Sequence, residues 1–140
     1  MYTRTTESIH WHPMYGHHPG LYRTSRPKPG SAFTHAGILR IPEFTSWSPS
    51  GPTVAHLDPD GLKIEPFDAR HGWTIGERIA DQAGALARLE TISGVTYHPL
   101  LFNCEHFVEY VAQGKRESRQ LQRWAVGAAV IGIAVMVRNR

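Results

Sequence analysis

The sequence predicts an α+β fold, in which an antiparallel sheet of about four or more strands packs against a helix that begins with the only cysteine. Short β-prone runs separated by turns fill residues 21 to 66. Apolar spacing typical of helices appears only after them. Strands followed by helices are typical of this class, and they predict a sheet covered by helices on one face.

Four runs are interpreted as strands of an antiparallel meander. The connections between them are short turns and one loop, over 26–30, 42–52 and 58–61, rich in Pro, Gly, Ser and Asp. No crossover helix separates the runs, so neighbouring strands are expected to pair antiparallel. The predicted strands cover 21–25, 32–41, 53–57 and 62–65.

Two helices are predicted after the strands. Thr74 and Glu77 have the spacing of a capping box and precede apolar residues on one helical face, so a helix is expected over 75–90 although Gly76 and Gly84 weaken it. A second helix is expected over 105–113, with Gly114 as its C-cap.

Size and composition indicate one globular domain. The chain has 140 residues, 41% hydrophobic and 19% charged. A single cysteine excludes an intramolecular disulfide framework and a Cys-rich zinc site, and it fits a reducing, cytoplasmic compartment. The first residues show no secretory signal. The formal charge of +3 comes without a basic run interleaved with aromatics, so no nucleic-acid partner is expected.

Residues 1–20 are interpreted as a His-rich N-terminal arm. Histidine pairs at this spacing can bind a metal ion. No ordered scaffold or carboxylate partner accompanies them, so no metal site is expected. The arm holds four of the nine histidines, His10, His12, His17 and His18.

The C-terminal segment, 124–140, is apolar with a basic end. Residues 124–137 are uncharged, and as a helix they would span roughly 21 Å, short of a hydrocarbon core about 30 Å thick. A core helix, an interfacial or re-entrant anchor and a protein-interaction helix all remain open. The missing polar face and the flanking basic residues favour a helix that associates with the membrane surface. Burial within the protein or an oligomer is the alternative.

Cys104 is the first candidate for chemistry. It stands where the second helix begins, and the unpaired N–H groups and positive dipole end of a helix N-terminus favour the thiolate. A thiolate is the nucleophile of covalent catalysis. The alternative is a buried, inert cysteine that packs as a small hydrophobe.

A cysteine nucleophile needs a base, and that base needs an orienting group. His35 and His56 each lie within a predicted strand, between small or apolar neighbours. If these strands pair, both side chains can project from one face toward a helix packed there, so that Cys104 meets His35 with His56 behind it. Otherwise each histidine is an ordinary core or surface residue.

Two neighbours of the cysteine have supporting roles. His106 follows Cys104 by two residues and therefore points to another side of the helix, which makes it a poor base and favours packing or a supporting hydrogen bond. Asn103 can cap the helix, or it can present its amide to a developing oxyanion.

The run Asn-Cys-Glu-His-Phe-Val at 103–108, followed by Gly114 and Ser-Arg-Gln at 118–120, closely resembles the lecithin:retinol acyltransferase-like family, a circularly permuted branch of the papain-like thiol hydrolases. Residues 34–38 and 54–57 resemble its two histidine motifs. The resemblance covers 21–123, the predicted catalytic domain. It implies that Cys104 is the nucleophile, His35 the general base and His56 the orienting residue, with no metal or organic cofactor. Apolar C-terminal anchors also occur in that family.

The chain departs from the family pattern at three places. The usual Gly-Asp pair before the first strand is absent, and the link over 40–53 is longer than usual. Phe33 stands where phospholipid-acting members carry a tyrosine, so backbone N–H groups or Asn103 would have to stabilise the oxyanion.

The resemblance implies a thiol-dependent acyltransferase or hydrolase that acts on ester-linked, phospholipid-like acyl lipids through a thioester on Cys104. A papain-like amidase or peptidase and a non-catalytic, membrane-associated binding module are the alternatives. The acyl donor and acceptor, the balance of hydrolysis and transfer, and the oligomeric state stay open.

Overall fold

A computed structural model describes residues 16–43 and 51–115. These residues form a five-stranded antiparallel sheet and two helices, which confirms the α+β class. The strands follow the order β4-β3-β2-β1-β5 across the sheet. The elements are β1 (Gly20–Pro27), β2 (Thr34–Ile41), β3 (Thr53–Asp58), β4 (Gly61–Pro66), β5 (Thr74–Arg78), α1 (Gln82–Thr91) and α2 (Cys104–Gln113), with a 3-10 turn at Ala69–His71.

The predicted meander of four strands is confirmed, because β1 to β4 pair with their sequence neighbours. The second strand begins at Thr34, two residues later than predicted. Residues before it form the turn, in which the N–H of Lys28 donates to the carbonyl of Phe33. Pro59 and Asp60 form the tight turn between β3 and β4, and this turn places His56 opposite Lys63.

The prediction of one helix over 75–90 is wrong. Residues Thr74–Arg78 instead form β5, which pairs with β1, and α1 begins only at Gln82. A Cβ on Gly76 would lie 2.9 Å from the carbonyl oxygen of Arg23, so this position needs glycine for close approach of the two strands. The helix cap is the side chain of Asp81, which accepts from the N–H of Gly84.

The two faces of the sheet have different covers. The helices pack on what we call the helix face, where Leu21, Ile38 and Ala55 form a core with the buried side chains of α1 and α2. The other face, which we call the tryptophan face, packs against Trp73 through Tyr22, Leu39, Ile41 and Val54. Successive strand residues point to opposite faces, so β1, β2 and β3 each contribute to both cores.

Polar side chains fix the helices on the sheet. Gln82 donates to the carbonyl and accepts from the N–H of Leu21, which ties the start of α1 to β1. Arg23 of β1 donates two hydrogen bonds to Glu109 of α2, 2.6 and 3.2 Å long. The helix α2 ends as predicted at Gly114, whose φ of 72° is left-handed.

The ends of the chain lie outside this description. Of the predicted arm over 1–20, only residues 16–20 are described, and the whole apolar segment over 124–137 lies outside the described residues. Among 16–43 and 51–115, no helix has both the length and the apolar character that a bilayer crossing requires.

Candidate active site

His35 and His56 form a buried imidazole pair. Nε2 of His35 lies 2.8 Å from Nδ1 of His56, and their rings meet edge to face with centroids 4.9 Å apart. The two side chains are 6% and 2% exposed. Adjacent strands bring them together on one face, as the sequence predicts.

Glu65 of β4 favours one arrangement of the protons on the two imidazoles. Its Oε1 lies 3.3 Å from Nε2 of His56, at angles outside those of a hydrogen bond, so the contact is electrostatic. A carboxylate there favours the tautomer of His56 with its proton on Nε2, which leaves Nδ1 to accept from the Nε2–H of His35. His35 then presents an unprotonated Nδ1.

That Nδ1 of His35 is a buried polar atom with no hydrogen-bond partner in the described structure. Buried polar groups are normally paired, and an unpaired one points to a missing ligand or a catalytic role. The chain Glu65–His56–His35 therefore ends on a free nitrogen that can accept a proton, with a carboxylate at the far end to stabilise the resulting charge.

Trp73 covers the imidazole pair. Its ring lies 5.7 Å from the ring of His35 and 5.4 Å from that of His56. The guanidinium of Arg26 lies over the Trp73 ring, with its carbon 4.6 Å from the ring centroid. Indole and guanidinium thus exclude water from one side of the pair.

Burial decides the protonation state of both imidazoles. It lowers the pKa of His35 from 6.5 to about 4, with further lowering by His56 and by the cations Arg26 and Lys28. Burial also lowers the pKa of His56, although Glu65 opposes it. Both rings are neutral at pH 7, the state in which an imidazole accepts a proton.

Cys104 is the first residue of α2 and is 4% exposed. Its helix packs on the helix face, whereas both histidines belong to the tryptophan face. No hydrogen bond joins Cys104 to either histidine in the described structure. The expectation that both histidines project toward the helix is therefore not met, because β2 alternates and it is Ala36 and Ile38 that face the helices.

Asn103 caps α2. Its Oδ1 accepts from the N–H groups of Glu105 and His106, and its Nδ2 donates to the carbonyl of Pro99. His106 completes a capping box, since its Nδ1 lies 3.3 Å from the N–H nitrogen and 3.0 Å from Oδ1 of Asn103. The predicted supporting hydrogen bond of His106 is present. Burial lowers the pKa of this imidazole.

Two residues of this site, Glu65 and Trp73, are not predicted from the sequence. Glu65 had a usable signal, because the turn at 58–61 fixes the pairing of β3 with β4 and sets Glu65 on the same face as His56. Trp73 had none, since it lies outside the regular strands and reaches the histidines only through tertiary packing.

In the described part of the chain, no three His, Cys, Asp or Glu side chains cluster closely enough to hold a metal ion. Comparisons with models of known protein families, with curated proteins and with solved structures find no match to this chain.

Proposed function

We propose that this protein is a cysteine-dependent acyltransferase or hydrolase of ester-linked acyl lipids, related to the lecithin:retinol acyltransferase-like family. The observation that carries the proposal is the relay from Glu65 through His56 to the unpartnered Nδ1 of His35. Such a relay serves a general base in nucleophilic catalysis, and Cys104 is the only thiol in the chain.

In the first half-reaction the thiol of Cys104 gives its proton to Nδ1 of His35. The thiolate attacks the ester carbonyl, the ester C–O bond breaks, and the leaving alkoxide takes the proton from His35. Water, a hydroxyl or an amine then attacks the thioester and releases the acyl group, with His35 again accepting and returning the proton.

No hydrogen bond joins the Cys104 thiol to Nδ1 of His35 in the described structure, so this reaction requires the two atoms to come within hydrogen-bond distance when substrate binds. Catalytic hydrogen bonds often form only in the substrate complex. The donor suited to an oxyanion is the backbone N–H of Cys104, because the next N–H groups of α2, those of Glu105 and His106, already donate to Asn103. Both ends of the Asn103 amide also make hydrogen bonds. We place the protein in the cytoplasm, with residues 124–137 at the membrane surface.

Intact mass after incubation with phospholipid vesicles tests the proposal. The wild type is expected to gain one acyl group, removable by hydroxylamine, and Cys104→Ala is expected to gain none. His35→Asn should reduce acylation by at least about a hundredfold, in line with the usual contribution of a general base. Lipid hydrolysis that continues unchanged in Cys104→Ala would overturn the proposal.

A second candidate, a non-catalytic binding module, is favoured by one observation: the thiol is buried and has no hydrogen bond to either histidine. The alkylation rate of Cys104 separates the two candidates. An activated thiolate reacts with iodoacetamide at neutral pH faster than free cysteine does, whereas a buried structural cysteine reacts more slowly.

A further inference from the structure

An open cavity of about 360 Å³ adjoins His35 at the end of the sheet where β1 stops and β2 starts. Arg26 lies directly opposite His35 across the β1–β2 pair, and Lys28 follows in the turn. Tyr97 reaches the cavity from the segment that leads to Cys104. The polar and charged side chains in its lining are Arg26, Lys28, His35, Asp58, His71 and Tyr97.

The cavity carries excess positive charge. Its one carboxylate, Asp58, is already neutralised, because Lys63 lies 2.5 Å from its Oδ2 and the N–H of Asp60 donates to its Oδ1. Arg26 and Lys28, by contrast, make no ion pair with a carboxylate within 16–43 and 51–115. Among the described residues, these two cations beside a neutral histidine therefore lack a counter-ion.

Both cations, Arg26 and Lys28, are partly buried. Arg26 is half-buried, and its guanidinium carbon lies over the ring of Trp73, 4.6 Å from the centroid. His35, only 6% exposed, keeps an unpaired Nδ1 next to them. A guanidinium stacked on Trp73, a partly buried ammonium group and a buried unpaired nitrogen together form a built site rather than a solvated charged surface.

We propose that this cavity binds an oxyanion group of the substrate, either a phosphodiester or a carboxylate, between Arg26 and Lys28. Guanidinium and ammonium groups are the usual ligands of such anions. The inference rests on the proposed function in naming the substrate class, an acyl ester that carries an anionic group close to its ester bond. Binding of the anion itself requires no chemistry at Cys104.

Anion binding has a consequence for the base. His56, Arg26 and Lys28 all face His35 and disfavour its protonated form, while Asp58 favours it. A bound anion cancels the effect of the two cations, so His35 becomes a stronger base when substrate is in place. This ties activation of the base to occupancy of the cavity.

The test is an NMR titration of the full-length protein with dimethyl phosphate and with acetate, using neutral trimethyl phosphate as the matched probe. We expect saturable shifts at Arg26, Lys28 and His35 with at least one of the two anions, weakened by added salt. Which of the two anions binds shows whether the cavity recognises a phosphodiester or a carboxylate. The imidazole pKa of His35, followed in the same samples, should rise when the anion is bound.

The same titration is carried out on two variants of the cavity and on one control variant. Arg26→Gln and Lys28→Gln should each weaken binding by about tenfold, as expected for a hydrogen bond to a charged group. Lys28→Gln does not disturb Trp73 and guards against a packing effect of the first variant. Arg40→Gln removes the same charge near the other end of β2, outside the cavity lining, and should leave binding unchanged.

Three results would overturn the inference: equal binding of trimethyl phosphate, wild-type affinity in both cavity variants, or shifts that never saturate and so reflect an adventitious ion only. Repeating the titration with Cys104→Ala separates this inference from the proposed function. Anion binding without any acyl-enzyme in the wild type would support the anion site and contradict the proposed acyl transfer. Acyl-enzyme formation without anion binding would support the proposed acyl transfer and contradict the anion site.

Discussion

Glu65 and His56 lie on neighbouring strands with Oε1 and Nε2 only 3.3 Å apart, and this contact orients the imidazole pair. Glu65→Gln removes the negative charge and keeps the shape. It should lower the pKa of His56 further, because Glu65 favours the protonated ring more than any other group does. NMR titration of His56 measures this directly. An unchanged pKa of His56 would show that the carboxylate does not set its protonation.

The pH dependence of the free energy of unfolding reports the pKa values of the buried imidazoles. His35 has a pKa of about 4 in the folded protein and 6.5 when unfolded, so the unfolded chain binds more protons between these values. The free energy of unfolding should therefore fall as the pH drops from 6.5 to 4, by on the order of 3 kcal/mol for His35. Burial of His56 and His106 acts in the same direction.

Urea unfolding at several pH values checks this expectation, with His35→Gln as the comparison. The variant should lose stability less steeply between pH 6.5 and 4. If the free energy of unfolding changes equally with pH in the two proteins, folding does not shift the pKa of His35.

Trp73 keeps water from the imidazole pair. Trp73→Ala should cost about 3–5 kcal/mol in the free energy of unfolding, since the side chain is 3% exposed. It should also raise the pKa of His35 toward 6.5. Trp73→Phe should cost much less, because Nε1 of Trp73 has no hydrogen-bond partner in the described structure. A histidine pKa that stays near 4 in the alanine variant would contradict the role of the indole.

Arg23 and Glu109 join β1 to α2, and their two single variants should differ. Arg23→Met strips the buried carboxylate of Glu109 of both guanidinium hydrogen bonds and should cost about 3–5 kcal/mol. Glu109→Gln should cost less, because Arg23 keeps Glu77, whose Oε1 lies 3.2 Å from its Nε. Thermal and urea unfolding measure both. A larger loss in Glu109→Gln would reverse the expected order.

Asn103 offers a way to separate a helix cap from an oxyanion donor. Asn103→Ala should destabilise the protein by about 1 kcal/mol through loss of the cap. Asn103→Ser keeps an oxygen acceptor for the N–H groups of Glu105 and His106 but has no amide, so it should restore most of that stability. Acyl-enzyme formation at the wild-type rate in the serine variant would assign the amide a structural role; a large drop with stability restored would assign it to the oxyanion.

The sequence by itself determined the elements whose signals are local. Alternation and turn residues located β1 to β4, and Asn103 and Gly114 marked the ends of α2, because caps and turns depend on a few adjacent residues. The pairing of His35 with His56 also followed from sequence, since a meander of short turns brings successive strands together.

Tertiary structure alone decided the rest. Residues Thr74–Arg78 look helical by spacing, yet they become β5 because β1 has an edge to pair with and Gly76 permits the close approach. The choice of face was equally non-local. Alternation sets His35 and Ala36 on opposite faces, but only packing settles that α2 covers Ala36 while Trp73 covers His35. The environment of the base thus depends on contacts between segments that no local pattern connects.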